Sequence, residues 1–138
     1  CGKPAVVATP PRLSDGTPFP TFYYATCPKL TGAISTLETT GMMAEMQERL
    51  GTDKELARAY LNAHEQYQEA RNELGMDVPE VKGITAGGMP DRVKCLHSLV
   101  AHSLSAGSGV NPLGDEALAA LPKWWLNDSC QATAEENK

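Results

Sequence analysis

The chain has 138 residues, enough for one domain with a real core and too few for two comfortable ones. Its hydrophobic share of 41% and charged share of 21% are ordinary for a globular protein, and no apolar run approaches the roughly 20 residues that span a bilayer. A net charge of −5 with no basic run leaves no nucleic-acid footprint, so neither a nucleic-acid partner nor membrane insertion is expected.

Pro4 to Thr9 reads as a short strand, and Thr21 to Thr26, rich in aromatic and β-branched residues, as a better one. The Pro10–Pro20 stretch between them carries the Pro and Asp-Gly chemistry of a loop, so the two strands are expected to pair antiparallel. A ribbon of two strands is marginal alone and needs helices over one face. Pro28 suits a first helical turn and makes Cys27 its N-cap; Leu30, Ile34 and Leu37 form the apolar face, and Gly41 ends the helix. A short helix with Met43, Met46 and Leu50 should stop at Gly51. Thr52 and Glu55 then form a capping-box pattern. Leu56, Tyr60, Ala63, Tyr67, Ala70 and Leu74 follow at spacings of four and three, predicting a helix over 53–74, about 33 Å long.

Residues 76–88, with Pro79, Gly83, Gly87 and Gly88, read as a mobile connection. A further helix is expected from Pro90 to about Leu104, with Val93, Leu96, Val100 and Leu104 facing the core. The segment from Asn111 to Glu116 reads as a turn opening a short helix over 117–121. The expected architecture is α+β: a small antiparallel β-ribbon near the N-terminus covered by four or five helices. Residues 1–121 form a single globular domain, and 122–138 a polar C-terminal tail. No internal repeat is evident.

Several of these stretches carry a resemblance: Asp15–Thr21, Tyr24–Pro28, Gly87–His97 and Asn111–Glu116. Through them the chain resembles the bacterial domain of unknown function 501 family, commonest in actinobacteria. The run Lys94-Cys95-Leu96-His97 followed by Ala101-His102 is the specific part; Thr26-Cys27-Pro28 alone is weak. The resemblance implies a cytoplasmic setting and no established activity. Members usually carry a segment before the position of Cys1, which implies a chain trimmed at its start.

Thiols and imidazoles are the side chains that hold soft metals or act as nucleophiles. Cys1, Cys27 and Cys95 come from a strand start, a strand-to-helix junction and a helix, and with His102 they are the candidate ligands of zinc or an iron–sulfur cluster. No Cys-x-x-Cys knuckle announces such a site. At about 100° per residue, His102 shares the face of Cys95 but sits about 10.5 Å further along the axis, and His97 points roughly 160° away, toward the core. Three readings stand side by side: buried packing of the thiols, or a disulfide such as Cys1–Cys27 in an oxidising compartment; a metal site; and a reactive thiol, for which Cys27 at a helix N-terminus is suited. Cys130 lies in the polar tail without a partner pattern.

Gly87 and Gly88 leading to Arg92 and Lys94 place flexible backbone and two cations at an expected helix start. There free N–H groups attract a small anion such as phosphate. The competing reading is a hinge followed by a solvated helix face. A regulatory or scaffolding protein is the other class of function, acting as a homodimer or on a protein partner through helix 53–74 and Trp124-Trp125. No Ser-His-Asp order, Gly-x-Ser-x-Gly elbow or His-Glu-x-x-His is present, so no reaction is assigned.

Overall fold

A computed structural model describes residues 2–126; Cys1, Cys130 and most of the C-terminal tail lie outside the described residues. Two short strands, β1 (Val6–Ala8) and β2 (Tyr23–Ala25), pair antiparallel with Val7 opposite Tyr24. Five helices follow: α1 (Pro28–Glu38), α2 (Met42–Thr52), α3 (Lys54–Asn72), α4 (Leu96–Ala106) and α5 (Pro112–Ala120). The chain is thus a mixed α+β domain with an N-terminal ribbon, as its sequence predicts.

Helix α4 is the centre. Leu96, Leu99, Val100, Ala101, His102 and Ser103 are all buried, so nearly every face of its first two turns is covered. It packs on α5, α1 and both strands. The seam of α3 is core as well: Tyr60, Ala63 and Tyr67 are fully buried, whereas Leu74, beyond the helix end, is exposed. Two edges of the seam reach out to backbone. Tyr67 Oη accepts the N–H groups of Phe22 (2.6 Å) and Tyr23 (3.1 Å), and Tyr60 Oη donates to the Arg92 carbonyl (2.7 Å).

Several boundaries differ from the sequence expectation, each for a local reason. Gly41 precedes α2 as its N-cap, and α1 has already ended at Glu38. Gly51 sits inside the last turn of α2. Asp53, rather than Thr52, caps α3, its carboxylate accepting the N–H groups of Glu55 and Leu56 at 3.1 Å. Residues 76–88 are docked: Val78, Val81, Thr85 and Ala86 are buried around a 3₁₀ turn at Pro79–Val81. The Asn111 turn is the first turn of α5 itself, with the Asn111 side chain accepting Gly114 N–H.

The largest correction concerns α4, which starts at Leu96 and not at Pro90. Gly87 and Gly88 hold positive φ of 69° and 95°, and the chain folds back on them, Arg92 N–H bonding the Gly88 carbonyl and Lys94 N–H that of Gly87. A Cβ on Gly88 would stand 2.7 Å from the Arg92 carbonyl oxygen, so only glycine closes this turn. Gln47 of α2 then clamps the extended segment, donating to the Asp91 carbonyl and accepting Val93 N–H.

Candidate functional site

That extended approach decides where Cys95 points. It enters α4 with φ −153° and ψ 112°, at the N-cap, and makes no capping hydrogen bond of its own. The cap comes from another helix. Glu38, the last residue of α1, accepts Leu96 N–H at Oε2 (2.8 Å) and meets His97 Nδ1 at Oε1 (3.0 Å). A carboxylate at the end of α1 is disfavoured by that helix's dipole, and the N-terminus of α4 reverses the sign. His97 Nε2 faces the Thr31 carbonyl (3.3 Å) and Ser35 Oγ (3.2 Å). Both ring nitrogens of His97 are thus held, Nδ1 by Glu38 of α1 and Nε2 by the Thr31 and Ser35 side of the same helix.

One donor atom from each of Glu38, Cys95 and His97 lies within 4.8 Å of the other two, and all three residues are half-buried. Among the described residues this is the one such group of histidine, cysteine and acidic side chains. Ser98 Oγ donates to Cys95 Sγ at 3.8 Å, one turn into the helix. A cavity of about 280 Å³ opens beside the cluster, lined by Tyr23, Tyr24, Thr31, Cys95, His97 and Ser98. The helical-wheel separation of Cys95 from His97 fails because Cys95 is not helical; the extended N-cap swings the two side chains together.

The other residues singled out in the sequence lie elsewhere. Cys27 is the N-cap of α1, as expected, but its thiol is free, buried and part of the hydrophobic core. Cys1 lies outside the described residues. His102 is fully buried, with Nε2 2.6 Å from Gln66 Oε1 and Nδ1 3.1 Å from Asn111 Nδ2. An acceptor on one side and a donor on the other fix the neutral Nε2–H tautomer, and burial pushes the His102 pKa down to about 4. Both nitrogens are used within the fold, leaving no lone pair for a metal. Gly87, Gly88, Arg92 and Lys94 form the closed turn described above, whose Arg92 and Lys94 amides are turned inward.

Two residues escaped sequence reasoning. Glu38 belongs to no local pattern with Cys95, and only the packing of α1 against α4 brings it there. His64 did leave a signal, since it continues the Tyr60–Tyr67 seam at helical spacing. It is buried, with Nδ1 2.9 Å from Thr85 Oγ1 and Nε2 3.2 Å from Gln68 Nε2, and desolvation lowers its pKa.

These observations define a single-domain α+β protein with a Glu/Cys/His cluster at a helix N-terminus beside a small cavity. Residues 1–119 match the family model described as protein of unknown function (DUF501), and the chain belongs to that family. No curated protein and no solved structure matches it. Among the described residues no helix is long and apolar enough to cross a membrane.

Proposed function

We propose that Glu38, Cys95 and His97 form a cysteine-centred zinc site in a cytoplasmic protein, with the adjoining cavity supplying the open coordination position. The observation that carries this reading is the convergence of one carboxylate, one thiolate and one imidazole donor within 4.8 Å. Three mixed protein ligands plus an open fourth position is the pattern of zinc sites that bind a water or a substrate group, whereas closed structural sites use four. An iron–sulfur cluster fits less well, because it is held mainly by thiolates and Cys95 is the single sulfur in the group. Held by Glu38 and His97, zinc would stand in place of their direct contact.

A second reading, a reactive thiol without metal, is favoured by the place of Cys95, which meets the Ser98 hydroxyl and lines a cavity that gives a reagent access. The partner-surface reading loses its main support, since the α3 seam is core; what remains of it is Trp125, 61% exposed, with Leu126 beside it.

Metal analysis of untagged protein prepared under reducing conditions separates these readings. The zinc reading expects near one ion per chain, released by Cys95→Ser and weakened by about 10-fold or more by Glu38→Gln. Metal-free protein that takes up no zinc at micromolar concentrations rejects it. If Cys95 in such protein then alkylates faster at neutral pH than Cys27, the reactive-thiol reading takes its place.

A further inference from the structure

Near its C-terminal end, α3 carries a buried charge that no acidic group among the described residues neutralises. Arg71 is only 2% exposed. Of the five N–H groups an arginine carries, two donate to main-chain carbonyls, Nη1 to Pro20 (2.6 Å) and Nη2 to Val81 (3.0 Å). No carboxylate among the described residues pairs with it: the ion pairs join Arg12 to Glu80, Arg49 to Glu45 and Glu116, and His97 to Glu38. A buried guanidinium facing only carbonyl dipoles is costly, because buried charges are ordinarily paired. Desolvation lowers the Arg71 pKa, the direction expected of a cation lacking a counter-ion.

Arg71 lines a cavity of about 500 Å³ between the end of α3 and the docked 76–82 segment. Gln68 and Asn72 of the same helix also face it, and the exposed Lys82 stands at its rim as a second cation. Asp77 is the one acidic residue in the lining and makes no ion pair with Arg71. The walls thus present a buried cation and an exposed one around an opening of metabolite size, with Gln68 held in place by His64 and the Gly83 N–H.

We propose that this cavity binds a small oxyanion, the phosphate or carboxylate group of a small molecule, with the unused edge of the Arg71 guanidinium as its principal anchor and Lys82 as a supporting charge. Arginine suits the role because its planar fork matches two oxygens at once. The site is separate from the Glu38–Cys95–His97 cluster and from the turn at Gly88, and does not depend on either.

The test is a titration of the whole chain with inorganic phosphate and, separately, with succinate, each against sodium chloride at matched ionic strength. Calorimetry and the Arg71 Nε–H resonance are the readouts. Saturable binding of one or both anions, with a shift of that resonance, is expected, and which anion binds identifies the oxyanion. Lys82→Gln, on the exposed rim, should weaken binding several-fold, and Arg71→Lys by about 10-fold or more, since it keeps the charge and loses the fork. Should Arg71→Lys fail to fold, the wild-type resonance and Lys82→Gln still decide the question. Binding of neither anion, or binding that leaves the Arg71 resonance and the Lys82→Gln affinity unchanged, overturns the proposal.

Discussion

A Cβ on Gly114 would run into the Leu99 carbonyl and the Ser103 hydroxyl, so this residue sets how closely α5 lies on α4. The obstacle is largely backbone and cannot rotate away. Gly114→Ala should therefore destabilise the protein by about 1–3 kcal/mol, as overpacking a filled contact does, even though alanine is the better helix former. Urea unfolding of the single variant checks this, and an unchanged midpoint would mean that α5 slides without loss. Little of this is legible from sequence, where Gly114 reads as a turn residue. The same limit applied at Glu38: a residue's neighbours in sequence reveal its local conformation, and not which distant backbone group it meets.

At the level of elements, periodicity carried far. The α3 seam, the Cys27–Pro28 helix start and the ribbon follow from patterns a few residues long, because helix and strand faces repeat at fixed periods. The start of α4 did not follow, since Val93, Leu96 and Val100 are all buried whether residue 93 is helical or extended. The decision lies in the Gly87–Gly88 turn and in Gln47, a side chain of another helix. Elements also complete one another's hydrogen bonding. Among the described residues no third strand meets the Phe22 and Tyr23 amides, and the Tyr67 hydroxyl accepts both. Tyr67→Phe leaves the ring packing in place and strands two N–H groups, so it should lower stability by about 2–4 kcal/mol. Amide exchange at Phe22 and Tyr23 should rise more than at Ala8 or Leu99. Uniform acceleration across the domain would point to a general loss of packing instead.

For the whole molecule, the two buried histidines make stability a function of pH. His102 is enclosed by Gln66 and Tyr67 of α3, Tyr23 of β2 and Asn111 at the start of α5, with Asp115 the charged group that acts on it. Its pKa falls from an ordinary 6.5 to about 4 because burial disfavours the imidazolium, and Asp115 opposes that only in part. His64 shifts in the same direction: burial dominates, Arg71 adds to the lowering, and Glu65 and Asp91 oppose it. A histidine whose pKa is depressed on folding binds its proton more readily in the unfolded chain. Its contribution is complete above about pH 6.5 and is lost as the pH falls toward the folded value. For His102 that interval corresponds to about 3 kcal/mol, at about 1.4 kcal/mol per pH unit. Protonation would also set a second N–H against the Asn111 amide donor, so the network of β2, α3, α4 and α5 loosens together. Unfolding free energy measured from pH 7.5 to 4.5 should therefore decline on the acid side, and His102→Gln should flatten the decline by close to one proton. His64→Gln should remove a smaller part, its burial being less complete. A His102→Gln profile parallel to wild type would show that His102 titrates alike in the folded and unfolded chain, against the neutral tautomer its two partners define.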